Sequence, residues 1–295
     1  MLRVLGIGDN MCDKNLTTGM MYPGGQSLNV PVNAKLLGAE AGFMGCFGND
    51  YVAEHLKKTL DEIGVDYSHS RTYPVPNVCA YYKVIDDDRV FIDPPEKVHP
   101  MSGVLFNMFE YEGFTKDDID YIKSFDVVHC SNDSRLEDTY PEFKKMGVCL
   151  SFDFSVYYDK PGYMEQICPN AYFVLLSCSG MVDGEARALL EKAHSLGAEI
   201  CVGTRGSKGS LCYDGREFYE QQPHWLESVV DTMGAGDAFI SAFLVDFLSH
   251  GGKEAEDKGG IIRRAMQSAA DYSAQSCLKN GSFGHGAPFK LRAEQ

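Results

Sequence analysis

The sequence predicts an α/β fold: a mostly parallel sheet covered by helices on both faces, with a smaller β segment standing off it. Three observations carry that prediction. Short apolar runs of strand length alternate with amphipathic runs of helix length over most of the 295 residues, the pattern of repeated β–α units. Residues 78–93 break the rhythm with two strand-like runs around an acidic turn, and a hairpin of that kind needs antiparallel pairing. The composition, 44% apolar and 23% charged, supplies ample core for one large domain, here read as 1–295.

The strands come first. Val4–Ile7, Ala41–Cys46, Val127–His129, Val148–Phe152, Phe173–Leu176, Ile200–Gly203 and Gly209–Tyr213 are short apolar runs suited to burial on both faces. Between them Gln26–Leu37, Val52–Ile63, Leu136–Lys145, Asp183–Ser195, Ala235–Leu248 and Ile261–Leu278 carry helical spacing. The 78–93 hairpin together with Met11–Met21 is expected to form a small lid over the strand ends, with an outer face able to pair a second subunit. The Gly- and charge-rich tail 281–295 is expected to fray at its end. Ligands in such sheets bind at the carboxyl ends of the strands.

Charge and cysteine content narrow the function classes. A net charge of −15 argues against binding nucleic acid, which needs clustered Lys and Arg. It leaves room for an anionic ligand held by local N–H groups. The ten cysteines include no Cys-x-x-Cys pair, so they read as buried free thiols of a reducing compartment rather than as a zinc or redox motif. The chain opens on a strand-like run, and no apolar stretch is long enough to cross a bilayer. A cytoplasmic protein with no membrane partner is expected.

Three segments carry chemistry. Asp231-Thr232-Met233-Gly234-Ala235-Gly236-Asp237 runs directly into an apolar helix. The glycines permit close backbone approach, and the helix start turns N–H groups and a positive dipole end toward the loop, which favours phosphate. A carboxylate there, Asp237, repels an anion unless it takes a proton from an attacking hydroxyl; the alternative is an ordinary turn with Asp237 as helix cap. Pro23-Gly24-Gly25-Gln26-Ser27-Leu28-Asn29-Val30 opens another helix and offers the Asn29 amide from its first turn. Gly6-Ile7-Gly8-Asp9-Asn10 lacks the third glycine of a dinucleotide fingerprint, Met11 standing there, which weighs against an NAD-dependent oxidoreductase. What remains is either a structural turn or polar contacts to a polyol. Last, Thr204-Arg205-Gly206-Ser207-Lys208-Gly209 follows a strand and either borders nucleotide phosphates or makes a plain hairpin.

Taken together, Gly24-Gly25…Asn29-Val30 and Asp231–Asp237 resemble the two signatures of the PfkB, or ribokinase-like, sugar kinases, in the right order, with Thr204-x-Gly206-x-x-Gly209 similar to that family's nucleotide loop. Within it, Gly8-Asp9-Asn10, Asp87-Asp88-Arg89-Val90-Phe91, Phe152-Asp153-Phe154-Ser155 and the methionine of the Asp231–Asp237 loop resemble most the branch that phosphorylates fructoselysine at its 6-hydroxyl. The resemblance implies a three-layer ribokinase-like α/β/α fold, ATP with Mg²⁺, a monovalent cation such as K⁺, and a homodimer joined through the lid. It implies Asp237 as the base, and an anion hole from the N–H groups of Gly234, Ala235, Gly236 and Asp237. Asp9, Asn10, Gly24, Gly25, Asn29 and Arg89 would hold the sugar, Thr204, Gly206, Gly209 and Gly236 would line the ATP site, and Asp231 begins the loop that in relatives helps bind the monovalent cation. One departure stands out: Ser177-Cys178-Ser179-Gly180 replaces the family's Asn-x-x-Glu, with Asp183 and Glu185 close by as substitutes toward Mg²⁺. Fructokinase, ribokinase and nucleoside kinase activities, or a sugar or nucleotide sensor without catalysis, are the competing readings.

Overall fold

A computed structural model describes residues 1–85, 88–95, 105 and 108–291. Residues 86–87, Asp87 of the sequence motif among them, and the last four of the tail lie outside that set. The main sheet collects β1 (Arg3–Gly8), β4 (Glu40–Phe47), β5 (Arg71–Thr72), β8 (Val127–Ser131), β9 (Leu150–Asp153), β10 (Phe173–Ser177), β11 (Ile200–Thr204), β12 (Ser210–Tyr213) and β13 (Phe218–Gln221), in the order β13-β12-β11-β10-β9-β8-β1-β4-β5. Every neighbouring pair from β11 to β5 is parallel, and β12 and β13 add antiparallel at one edge.

Helices cover both faces, as alternation of buried side chains along the strands demands. One face carries α3 (Met108–Glu112), α4 (Lys116–Lys123), α5 (Tyr140–Lys145), α6 (Tyr163–Ile167) and α7 (Asp183–Ser195). Their Phe109, Ile122, Phe143, Ile167 and Leu190 pack on Leu5, Val128, Phe152 and Leu176. On the other face, α1 (Gln26–Leu36), α8 (Ala235–Ser249) and α9 (Lys258–Ser276) pack Val30, Phe243, Phe247 and Met266 on Val4, Phe173, Leu175 and Val202, and α2 (Tyr51–Ile63) joins Phe43 and Phe47 of β4. Gly6 explains half of the Gly-x-Gly near the start. A Cβ there would meet the Pro31 ring at 2.8 Å, so glycine lets α1 lie directly on β1. Gly6 is thus a packing device.

The smaller sheet, the expected lid, has five strands ordered β14-β3-β2-β6-β7, from β2 (Met11–Asn15), β3 (Met20–Gly24), β6 (Cys79–Ile85), β7 (Asp88–Ile92) and β14 (Ala287–Pro288). The hairpin expected from the sequence is β6–β7, paired antiparallel from Tyr81↔Ile92 to Ile85↔Asp88. The described part of the tail is held in place: Ala287 and Pro288 pair with Met21 and Met20, and Phe283 is buried, while the end expected to fray lies outside the described residues. All ten cysteines are free thiols, eight of them buried. No described helix is long and apolar enough to cross a membrane.

Candidate active site

The loop before α8 takes the form its glycines permit. Gly234 caps the helix at φ 70°, in the left-handed region that glycine adopts at no steric cost. Any Cβ there would also stand 2.5 Å from that of Ser282. Asp237 is the third helical residue and not the cap, so the ordinary-turn reading of its carboxylate does not hold. Its side chain is 94% buried by exposure, at 6%, and accepts a 2.7 Å hydrogen bond from Asn29 Nδ2. The N–H groups of Gly236 and Asp237 find no backbone acceptor among the described residues, whereas Ala235 donates to the Thr232 carbonyl at 3.3 Å. First-turn donors of this kind are the helix's orphan groups.

Asn29, one turn into α1, also donates to Ser282 Oγ at 3.1 Å, while its buried Oδ1 has no partner among the described residues. Gly25 offers no side chain to cap α1, so Asp9 does it from the end of β1. Its carboxylate accepts the N–H groups of Gln26 at 2.8 Å and Ser27 at 2.9 Å. Gly24 ends β3 with Asp13 Oδ2 only 2.7 Å from where a Cβ would be. Asn10 is occupied otherwise: its Nδ2 donates to the Cys46 carbonyl and its Oδ1 accepts from Asn77, tying β1 to β4 and to the chain entering the lid. Arg89 reaches out of the lid and ion-pairs with Asp231.

Carboxylates crowd this region. Burial pushes Asp237 well above the usual carboxylate range, Asp153 adds to it, the Asn29 hydrogen bond opposes, and Asp9 and Asp13 raise it further. Burial likewise lifts Asp153 to about 7, against the Ser155 N–H and with Asp9 and Asp133 behind it. Asp13 rises to about 7 through burial, with Arg89 opposing, and Asp133 to about 6. Like charges sharing one poorly hydrated site resist joint ionisation.

A cleft of about 620 Å³ joins Asp237 and Gly234, Ala235 and Gly236 to Thr204, Gly206 and Gly209. Gln26, Asp153, Trp225 and Cys277 also line it. Asp9, Asn10, Gly24, Gly25, Asn29 and Arg89 do not line it; Asp9 and Asn29 adjoin it through their bonds to Gln26 and Asp237. The Thr204–Gly209 segment makes the hairpin the sequence left open, and it borders the cleft. It is a tight connection between β11 and β12, with Arg205 N–H donating to the Gly209 carbonyl at 2.8 Å. Arg205 and Lys208 point away, to Asp183 and to the Met181 carbonyl.

The suggested substitutes for Asn-x-x-Glu do not serve. Asp183 is engaged by Arg187 and Arg205, Glu185 accepts the Val182 N–H at the start of α7, and neither lines the cleft, though Ser177 and Ser179 do. A divalent cation carried on phosphates needs only one or two protein carboxylates, and the cleft offers Asp153 and Asp237. The donor set therefore fits such an ion. Sequence reasoning attached no role to Asp13, Gln26, Trp225 or Ser282. Asp153 was in view only as part of a motif, yet a carboxylate at the carboxyl end of a parallel strand is the signal that marks it.

Known proteins match this geometry. The profile of the pfkB family carbohydrate kinases matches residues 8–151 and 175–284. The chain is 32% identical to fructosamine kinase FrlD of Bacillus subtilis over 291 residues, 98% of this chain and 96% of that one. It is 31% identical to fructoselysine 6-kinase of Escherichia coli over 238 residues, 81% and 86% of the two chains. Ribokinase from Giardia lamblia shares the fold, with a TM-score of 0.76 over 96% of both chains at 18% identity. With its two glycine-led helix starts meeting at Asp237 and Asn29, and with the profile spanning both, this chain belongs to the pfkB family of carbohydrate kinases.

Proposed function

We propose that this ATP-dependent sugar kinase transfers the γ-phosphoryl group to the 6-hydroxyl of fructoselysine or a related fructosamine. The observation that carries the mechanism is the Asp237 carboxylate, buried at the start of α8 beside open N–H groups and facing a cleft that runs to the Thr204–Gly209 loop. Phosphoryl transfer asks for alignment and charge stabilisation more than covalent help. Asp237 takes the proton of the acceptor hydroxyl as its oxygen bonds to the γ-phosphorus. The bond to the β–γ bridging oxygen breaks, and ADP leaves with the electron pair. The N–H groups of Gly234, Ala235, Gly236 and Asp237 receive the charge that develops on the γ-oxygens. For Ala235 this means giving up its bond to Thr232 when the nucleotide arrives. Asp153, on the cleft wall, would hold the divalent cation that comes with ATP, which would supply neutralisation of phosphate charge.

Asn29 Oδ1, buried and without a partner among the described residues, is a ready acceptor for a sugar hydroxyl, whereas the room a side chain at Gly24 or Gly25 would need is taken by Asp13 and Asp9. Asp9 contributes mainly by holding α1 in place, and Asn10 by holding the lid. Thr204, Gly206 and Gly209 border the nucleotide phosphates, with Trp225 beside the base. The fructosamine acceptor is supported by the two relatives named above and by the surplus of carboxylates, which suits a substrate with an amine. A homodimer through the lid is supported by β7, an edge strand exposing Val90 and Phe91, since such apolar edges invite pairing. A coupled ADP-release assay over fructosamines, hexoses, pentoses and nucleosides tests the proposal. Fructoselysine is expected to give the highest kcat/KM, and a rate no better than fructose would overturn the acceptor assignment.

A further inference from the structure

One ion pair beside the site has no part in the steps above. Arg89 Nη2, from β7 of the lid, donates to Asp231 Oδ1. The same oxygen accepts the Met233 N–H at 2.9 Å, and Oδ2 accepts the Gly281 N–H at 2.8 Å. The pair is largely withdrawn from water, with side-chain exposures of 20% for Arg89 and 8% for Asp231, and the guanidinium lies 5.2 Å from the centre of the Tyr82 ring.

The resemblance gives Asp231 to a monovalent cation, and the residues present do not fit one. Both carboxylate oxygens are taken, and one is taken by a group that already brings a full positive charge. We propose that Arg89 is the cation of this loop, so that phosphoryl transfer by this chain needs no K⁺.

The connections of Asp231 show what the charge does. Through Met233 the carboxylate sets the turn into Gly234 and the start of α8. Through Gly281 it sets the turn carrying Ser282, which packs against Gly234 and accepts from Asn29. Asn29 in turn holds Asp237. An uncompensated Asp231 would place a negative charge behind the donors meant for a phosphoryl group and loosen the turns they depend on. A free cation could cancel that charge, but a guanidinium on the lid cancels it permanently, because it stays ionised at any working pH. It also ties the lid to the loop. Arg89 is thus a positioning residue, acting on the reacting atoms through Asp231.

The inference rests on the kinase reading for its activity arm and not for its binding arm. In buffers with tetramethylammonium as the sole cation, wild-type kcat is expected to be unchanged by adding K⁺. Arg89→Gln is expected to lose about 10²-fold in kcat, the scale for misplaced reacting groups, and to recover most of it with K⁺ or free guanidinium. Arg89→Lys, which keeps the charge, is expected to stay insensitive to K⁺. Without substrates, K⁺ is expected to raise the melting temperature of Arg89→Gln and leave that of the wild type alone. Strong activation of the wild type by K⁺, or a K⁺-dependent shift in its melting temperature, would overturn the proposal. So would an Arg89→Gln variant as active as wild type and indifferent to K⁺. Should the wild type phosphorylate no acceptor at all, the kinase reading fails, and the melting experiment still decides the role of Arg89.

Discussion

Replacing Asp237 by asparagine keeps the volume and an oxygen for the Asn29 Nδ2 bond while removing the ability to take a proton. Loss of a general base slows turnover by about 10²–10⁴-fold, or about 3–5 kcal/mol of barrier at roughly 1.4 kcal/mol per decade. Stability is expected to move the other way. Burial and the neighbouring Asp153, Asp9 and Asp13 raise the folded-state pKa of Asp237 well above that of an ordinary carboxylate. Between the unfolded and folded pKa values the native state therefore binds the extra proton, and stability falls as pH rises through that window. Above it the carboxylate is a net cost that asparagine relieves. The variant should melt higher than wild type at about pH 8, and the gain should shrink toward about pH 4, where the wild-type carboxyl is itself neutral. The acid limb of wild-type kcat/KM should likewise lie above the ordinary carboxylate range and vanish in the variant. Coupled ADP release, calorimetric titration with a non-hydrolysable ATP analogue and melting at the two pH values give the readouts. Turnover within a few fold of wild type, or no gain in melting temperature at the higher pH, would refute the assignment of Asp237 as a buried, charge-stressed base.

Other predictions follow from the same geometry. Asp153→Asn should raise the melting temperature at about pH 8 and not near pH 4, because the stability tied to the wild-type proton is lost as pH rises from 3.8 to about 7. Three pKa units cap the gain at about 4 kcal/mol, and a flat difference across pH would count against the raised carboxyl. Gly209→Ala, at φ 81°, would drive a methyl group into the Gln221 carbonyl; KM for ATP should rise while the dissociation constant of the sugar holds, and the reverse pattern would remove this loop from the nucleotide site. Phe91→Glu on the exposed edge of β7 should convert a dimer to monomer in light scattering, and an unaltered dimer would place the interface elsewhere.

Much of the fold was legible because its signals are local. Strand-length apolar runs and helical spacing located most of the main sheet and its longest helices. Two-residue strands such as β5 and β14 carry no periodicity, and they exist only because a neighbouring strand supplies their hydrogen bonds. The pairing within the tail was hidden for the same reason: nothing local in a glycine- and charge-rich segment shows that β3 offers Ala287 and Pro288 an open edge. At the site, the loop residues were readable because glycine permits few alternatives in a tight helix start. The carboxylates were less so. Nothing local marks Asp13 or Asp153 as raised to about 7, since that depends on burial and on charges brought in from other strands.

Local chemistry therefore settled the fold class, the family and the position of Asp237 at a helix start, because backbone freedom, apolar spacing and helix dipoles act over a few residues. The tertiary structure decided what each polar group is for. Asn29 meets Asp237 across 208 residues of chain, Asp9 is turned to capping α1, and Asp183 is drawn off the site by Arg187 and Arg205. Arg89 and Asp231, read separately as a sugar contact and an ion ligand, become a single pair 142 residues apart. Charges act through space, and only the folded chain determines which of them become neighbours.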